Sequence, residues 1–396
     1  KIMAVVDLNA LPFPERESSG NDEEDFGLFE WHARRRELHR AKVLEVLAQV
    51  ERGWPEGPLQ SLSLSPTLIS LEEWRPEDTS TVKAAIRAVG QGLHHLDLSS
   101  QGSVNSSMPA SVTAAAIESC PHLHTLNLEE APCSAEAMAG IGAMKDLEEL
   151  KLGGIAVMLK DPIDPTSLAN VGPLPRLRVL HLCHTEVDSK VVATVANRCP
   201  ALADVDLSSS PKLTHEGVEA LAQHCPALRR LGLLNCEAVG PEGVRALGQC
   251  KRLEYLCLQR VRGTASGMRS VAEGCSHLAE LDVCACFLLD DDVQAIGDMT
   301  SLTNLDLNAA HGFGIAALQS AVSHLSKLRV LSLNSQRFPE TQLDDVLRAI
   351  VEWSAEAKLE VIDLNNSSIT SAAVDLVRTR WPACEVSTIH CRGVQS

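Results

Sequence analysis

Cys225-Pro226-Ala227-Leu228-Arg229-Arg230-Leu231-Gly232-Leu233-Leu234-Asn235-Cys236 holds Leu228, Leu231 and Leu233 at the first, fourth and sixth places of a six-residue word. The word recurs upstream as Leu202-Val205-Leu207, Leu177-Leu180-Leu182, Leu147-Leu150-Leu152, Leu123-Leu126-Leu128, Leu93-Leu96-Leu98 and Leu59-Leu62-Leu64. Downstream it reads Leu253-Leu256-Leu258, Leu278-Leu281-Val283, Leu302-Leu305-Leu307, Leu328-Leu331-Leu333 and Leu359-Ile362-Leu364. Successive copies start 24 to 34 residues apart, and all 36 defining positions are Leu, Val or Ile. Strand side chains alternate with period two, so the fourth and sixth places share one face and their neighbours the other. A short turn and a helical pattern follow each word, as in Glu216-Gly217-Val218-Glu219-Ala220-Leu221-Ala222. Each unit is one strand and one return helix, too small to cover its own apolar face. Stacked in parallel, the Leu rows bury one another at roughly 1.5–3 kcal/mol per side chain before the entropy cost. Helices need more room than strands, so the reading predicts a curved α/β solenoid, a horseshoe with its parallel sheet on the concave face and helices on the convex face.

Cysteine gives a second ruler. Cys120, Cys199, Cys225, Cys250 and Cys275 each fall three residues before the first Leu of a word, where other copies have Met144, Leu174, Met299 and Leu325. Interchange of Cys, Met and Leu marks a buried apolar slot. Cys236 and Cys286 share another phase, eight residues after Leu228 and Leu278. Much of the count of thirteen cysteines is thus packing, and repeated buried thiols with no pairing scheme predict a reducing, intracellular compartment, cytoplasmic or organellar, and not a disulfide framework. The first residue is Lys1, which fits a processed N-terminus.

The stretch Leu213-Thr214-His215-Glu216-Gly217-Val218 together with residues 225–236 resembles the cysteine-containing subclass of leucine-rich repeats. Later copies such as Leu359-Glu360-Val361-Ile362-Asp363-Leu364-Asn365-Asn366 are closer to the ribonuclease-inhibitor type. The repeat resemblance covers about residues 59–391 and implies the solenoid fold. The cysteine-containing subclass is common in F-box/leucine-rich-repeat proteins, so it also implies, as one alternative, substrate recognition in a cullin-type ubiquitin ligase. Leu11-Pro12 offers the opening pair of an F-box, but the acidic, turn-like Glu15-Arg16-Glu17-Ser18-Ser19-Gly20-Asn21-Asp22-Glu23-Glu24-Asp25 follows where an amphipathic helix belongs. A GTPase-regulating repeat protein is a further alternative, which no residue marks.

The reading divides the chain at residue 59. Residues 1–58 form an N-terminal segment with the acidic loop and a capping helix from Phe29 to Val50, whose stripe is Leu38, Val43, Leu44, Val46, Leu47 and Val50. Residues 59–396 hold about twelve repeats and a degenerate C-terminal cap, in which Trp381-Pro382-Ala383-Cys384 takes the phase of Cys-Pro-x-Leu. Two places break the rhythm: the proline-rich 161–175, where a helix is due, and the polar loop 101–109 before a helix at 110–119.

Periodicity also names the open face. The fifth places are Ser63, Asp97, Asn127, Lys151, His181, Asp206, Gly232, Cys257, Asp282, Asp306, Ser332 and Asp363. Flanking them are Glu129, Asp204, Arg230, Tyr255 and Glu280. Aspartate is a poor strand former, so five in mid-strand suggest a purpose: they bind, or they keep an exposed sheet soluble. The candidate partner-binding set is Asp97, Glu129, Lys151, His181, Asp204, Asp206, Arg230, Tyr255, Glu280, Asp282, Asp306 and Asp363.

The net charge of −17 predicts a protein partner with a basic surface, within a multi-subunit complex, and speaks against nucleic acid. No apolar run of about 18 residues is present, so no membrane span is expected. Chemistry is not expected either. Cys284-Ala285-Cys286 lacks a second pair for zinc, Gly140-Ile141-Gly142 lacks the setting of a nucleotide loop, and His390-Cys391 and Cys183-His184 stand alone. The reading is therefore a non-catalytic interaction scaffold without cofactor or metal.

Overall fold

A computed structural model describes residues 4–7, 41–53, 59–64, 75–99, 108–154, 165–185, 187–264, 266–335, 342–352 and 358–391. The chain divides into two compact units, Lys1–Thr185 and Glu186–Ser396. In the first, β1 (Ala4–Asp7), β2 (Leu59–Ser63), β3 (His95–Asp97), β4 (Thr125–Asn127), β5 (Glu149–Lys151) and β6 (Val179–His181) pair in parallel, each with the next in sequence. The register sets fourth place against fourth place, Leu62 on Leu96, Leu126, Leu150 and Leu180 in turn. These leucines are at most 2% exposed. The row is the core, and it forms because a one-residue slip would turn every Leu toward water.

Strand β1 is absent from the twelve-word reading. Val6 pairs with Leu62, which makes Met3, Val6 and Leu8 the defining places of a further word. Met at the first place hides it. Helix α1, helical over 41–52, follows β1 and precedes β2 in the chain, the order of a return helix. It buries Val43, Leu47 and Val50 of the predicted stripe and leaves Leu44 and Val46 half-buried. Leu38, Leu11-Pro12, the acidic stretch 15–25 and the loop 100–107 lie outside the described residues. Helices α2 (Pro76–Val89), α3 (Ala110–Ser119) and α4 (Ala135–Ile141) connect the later strands. In the proline-rich break, a 3-10 helix (Pro165–Asn170) takes the helix's place, since Pro removes a donor and clashes with the preceding turn.

The second unit repeats the plan with β7 (Asp204–Asp206), β8 (Arg230–Gly232), β9 (Tyr255–Cys257), β10 (Glu280–Asp282), β11 (Asn304–Asp306), β12 (Val330–Ser332), β13 (Val361–Asp363) and β14 (Glu385–Ser387). All adjacent pairs are parallel. The helices are α5 (Ser189–Arg198), α6 (His215–His224), α7 (Gly240–Ala246), α8 (Met268–Gly274), α9 (Asp290–Gly297), α10 (Ile315–His324), α11 (Gln342–Val351) and α12 (Ser371–Arg380). Asp188 and Thr370 cap α5 and α12, each accepting from an amide three residues on. Register corrects the last repeat. Val386 stands opposite Ile362, so Cys384 takes the second place of its word, not the first. One residue is missing between Trp381 and the strand. Trp381 itself is buried, 8% exposed.

Both cysteine slots have a physical role. Cys120, Cys199, Cys225 and Cys275 cap α3, α5, α6 and α8 at their C-termini, their amides bonding back four residues. At the ninth place, Cys236, Cys286 and Cys391 donate from Sγ to Leu207, Leu258 and Leu364 carbonyls at 3.2, 3.0 and 2.8 Å. Ser367 Oγ does the same to Leu333 at 2.9 Å. Each bond ties a turn to the sixth-place residue of the preceding word. Burial pushes the Cys120, Cys225, Cys250 and Cys286 thiols up to about 12, and Cys236 and Cys275 to about 11. Because the thiolate is the reactive form, these sulfurs are inert in the fold. Disulfide exchange with an aromatic thiol reagent at mildly alkaline pH should therefore reach at most the half-exposed Cys183, Cys284 and Cys391. Fast reaction of all thirteen without denaturant would contradict this packing.

Candidate protein-binding face

The fifth-place side chains are held by the way each strand ends. Asp97 Oδ1 accepts from the Ser99 amide at 2.9 Å, and Asn127 Oδ1 from Glu129 at 3.0 Å. Asp206, Asp282, Asp306 and Asp363 do the same with the amides of Ser208, Cys284, Asn308 and Asn365, at 2.8–2.9 Å. One residue beyond, at the eighth place, the backbone enters the left-handed region: Glu130, Ser209, Asn235, Arg260, Ala285, Ala309, Ser335 and Asn366 all have φ between 51° and 60°. That conformation costs a non-glycine residue roughly 1–2 kcal/mol. Where the fifth place is Asp or Asn, its side-chain oxygen accepts the seventh-place amide and braces this turn, as Asx residues do in loops, although the turns at Asn235, Arg260 and Ser335 form behind Gly232, Cys257 and Ser332 without it. Aspartate in mid-strand thus has a role beyond the two weighed from sequence. It shapes the turn.

On the first unit, Asp97, Asn127, Lys151 and His181 form one register row. Lys151 Nζ pairs with Glu149 at 2.9 Å. That hydrogen bond, with the nearby Glu149, Glu129 and Asp97 charges, holds the Lys151 pKa above its ordinary value. Acid is partly balanced here. A histidine group that the sequence reading missed lies beside it: His94 and His124 meet edge to face with ring centroids 4.9 Å apart, and His95 Nδ1 lies 3.1 Å from Thr125 Oγ1. Burial, then His124 and His94, lower the His95 pKa. The signal was phase, since His94 and His124 hold the second place of consecutive words.

The second unit differs. Its row runs Asp206, Gly232, Cys257, Asp282, Asp306, Ser332 and Asp363. Beside it Arg230 is engaged, 3.7 Å from Asp204 and 4.1 Å over the Tyr255 ring. Glu280 stands next to Tyr255 in register. Among the described residues no Lys or Arg pairs with Asp206, Asp282, Asp306 or Asp363. Gly232 leaves room for the Asp206 carboxylate, since a Cβ there would lie 2.6 Å from Asp206 Oδ1 and push it from its bond to the Ser208 amide. Cys257 departs from its expected exposure: it is buried, 3.4 Å from Asp282 Oδ2. Asp306 is pushed up to about 6, by burial first and then by the Asp282 and Asp363 charges, against the lowering bond from Asn308.

One donor atom each from Asp282, Cys284 and Asp306 lies within 4.8 Å of the others, close enough for three ligands of a metal ion. With no ion present, burial and the two aspartates push the Cys284 thiol up to about 11, so an ion bound there would have to displace its proton.

One parallel strand and one return helix per unit, with Leu-x-x-Leu-x-Leu words in register, define the leucine-rich-repeat fold. No protein-family model matches the chain, and no curated protein sequence is similar to it. Among solved structures it is similar to an internalin from Listeria monocytogenes, with a TM-score of 0.45 and 14% identity, covering 85% of this chain and 76% of that one. It is similar as well to a leucine-rich-repeat protein of Leptospira interrogans, with a TM-score of 0.37 and 18% identity, covering 83% of each. Among the described residues no helix is long and apolar enough to cross a membrane.

Proposed function

We propose that this protein is a non-catalytic interaction scaffold whose second unit takes up a protein with a basic surface through Asp206, Asp282, Asp306 and Asp363, with Glu280 beside them. The observation that carries the reading is the absence of a paired cation from this row among the described residues, in a chain of net charge −17. Burial first, and then the Asp282 and Asp363 charges, raise the Asp306 pKa, and carboxylates crowded in this way gain when a partner brings positive charge. The turn bonds occupy Oδ1 and leave the negative potential in place. The inert thiols favour a reducing, intracellular setting, and a multi-subunit assembly fits a surface of this kind.

The test is affinity capture from native extract at low salt with two baits, the wild-type chain and the D282N/D306N/D363N variant. A partner retained by the wild type, released by salt and reduced about tenfold on the variant supports the reading. Equal retention on both baits overturns it. A ubiquitin-ligase adaptor with its cullin, or a small GTPase held in one nucleotide state, would identify the setting.

A further inference from the structure

We infer that β14 receives an extended, parallel segment of a partner protein that carries a basic residue beside apolar ones. This surface is separate from the acidic row. Every inner strand of the second unit offers the next one the same backbone groups. On β13 and its turn, the Glu360 carbonyl accepts from the Glu385 amide at 2.8 Å, while the Leu364 and Asn366 amides donate to the Ser387 and Ile389 carbonyls at 2.9 Å. The equivalent groups one repeat on are the Cys384 carbonyl and the Thr388 and His390 amides. None of the three has a hydrogen-bond partner among the described residues. An unpaired ladder edge is a template for a strand.

Side chains fix what that strand carries. The fourth-place residue of β7 to β13 is at most 2% exposed, whereas Val386 is half-buried. Ile389, after β14, is 63% exposed and Leu376, on the helix α12 before it, 41%, so two of the four large apolar residues exposed among the described residues fall between α12 and the turn after β14. A concavity lined by residues 385–391 lies at this edge. Glu385 is exposed and pairs with no cation among the described residues. The fold itself supplies the complement: at the third place of β8, Arg230 lies 3.7 Å from Asp204, the third-place acid of the strand before it. An incoming Arg or Lys at that place meets Glu385 in the same way, with an apolar residue following against Val386 and another reaching Ile389.

The probe is a fluorescent synthetic peptide spanning residues 227–235, which holds Leu228-Arg229-Arg230-Leu231-Gly232-Leu233, titrated with the full chain and followed by anisotropy. Saturable binding is expected. N-methylation of its third-place Arg, which removes the donor for the Cys384 carbonyl, should weaken it at least about tenfold. Glu385→Lys should weaken the same peptide and favour one with Glu in that Arg's place, and Ile389→Ser should weaken both. These two positions are exposed, and circular dichroism checks that the variants fold. Absence of binding, equal binding of the N-methylated peptide, or indifference to Glu385→Lys overturns the inference. A dimer that Ile389→Ser dissolves and the peptide disrupts would give the edge to a second copy, and so also overturns it.

Discussion

Replacing Gly274 with alanine is expected to cost the second unit about 3 kcal/mol or more, read as a lowered denaturation midpoint. An added Cβ would fall 2.5 Å from the Gly248 carbonyl carbon and closer still to its oxygen. Both obstacles are backbone, so no rotamer change relieves them. The clash lies where the end of α8 meets the 3-10 turn Leu247–Gln249. Separating these segments would also lift the Cys275 cap, whose amide bonds to the Val271 carbonyl. In a repeat stack, each unit is stabilised by its neighbours, so the loss spreads to adjacent repeats. Gly92→Ala is the control. Its nearest obstacle is the Leu59 carbonyl oxygen at 3.4 Å, and the expected change is within about 0.5 kcal/mol. Equal midpoints for the two variants would contradict this packing.

The second large effect separates charge from turn. Triple replacement of Asp282, Asp306 and Asp363 by alanine removes three accepted amide bonds and should cost about 3 kcal/mol in sum. Replacement by asparagine keeps the acceptor, as Asn127 does on β4, and should cost little. The pH dependence follows from Asp306. Its folded pKa is about 6, above the unfolded 3.8, so between these values the folded state holds more proton. Stability therefore falls as pH rises from about 4 to about 6, and the penalty persists above that. For a half-buried group screened by water, its size is on the order of 1 kcal/mol. Asp306→Asn should flatten this slope, and an unchanged slope would rule out Asp306 as its source.

What the sequence disclosed follows from what repeats must conserve. The fourth and sixth places have to be apolar in every unit, so the strands were legible down to their register, except β1, whose word opens on Met3, and β14, whose word was read one residue out of phase. The Cys-slot phase disclosed a buried site for the same reason, and the structure adds that this site is the C-cap of the helix before it. The exact fit of Gly274 to Gly248 was not legible, because close approach of two backbones leaves no periodic mark. For the face, phase placed each residue on its row but said nothing about pairing. Lys151 is neutralised by Glu149 within its own strand, and Arg230 by Asp204 across strands, and only geometry shows that Asp206, Asp282, Asp306 and Asp363 have no such partner among the described residues. The turn role of aspartate had a readable sign: Asp or Asn at the fifth place, three residues before the position that turns left-handed.

The most direct test of the acidic face is the salt dependence of affinity for the captured partner, measured for the wild-type chain and for D282N/D306N/D363N. The account predicts a steep loss of affinity with salt for the wild type and a shallow one for the variant, the two converging at high salt. Parallel lines of equal affinity would show that the partner does not read these carboxylates.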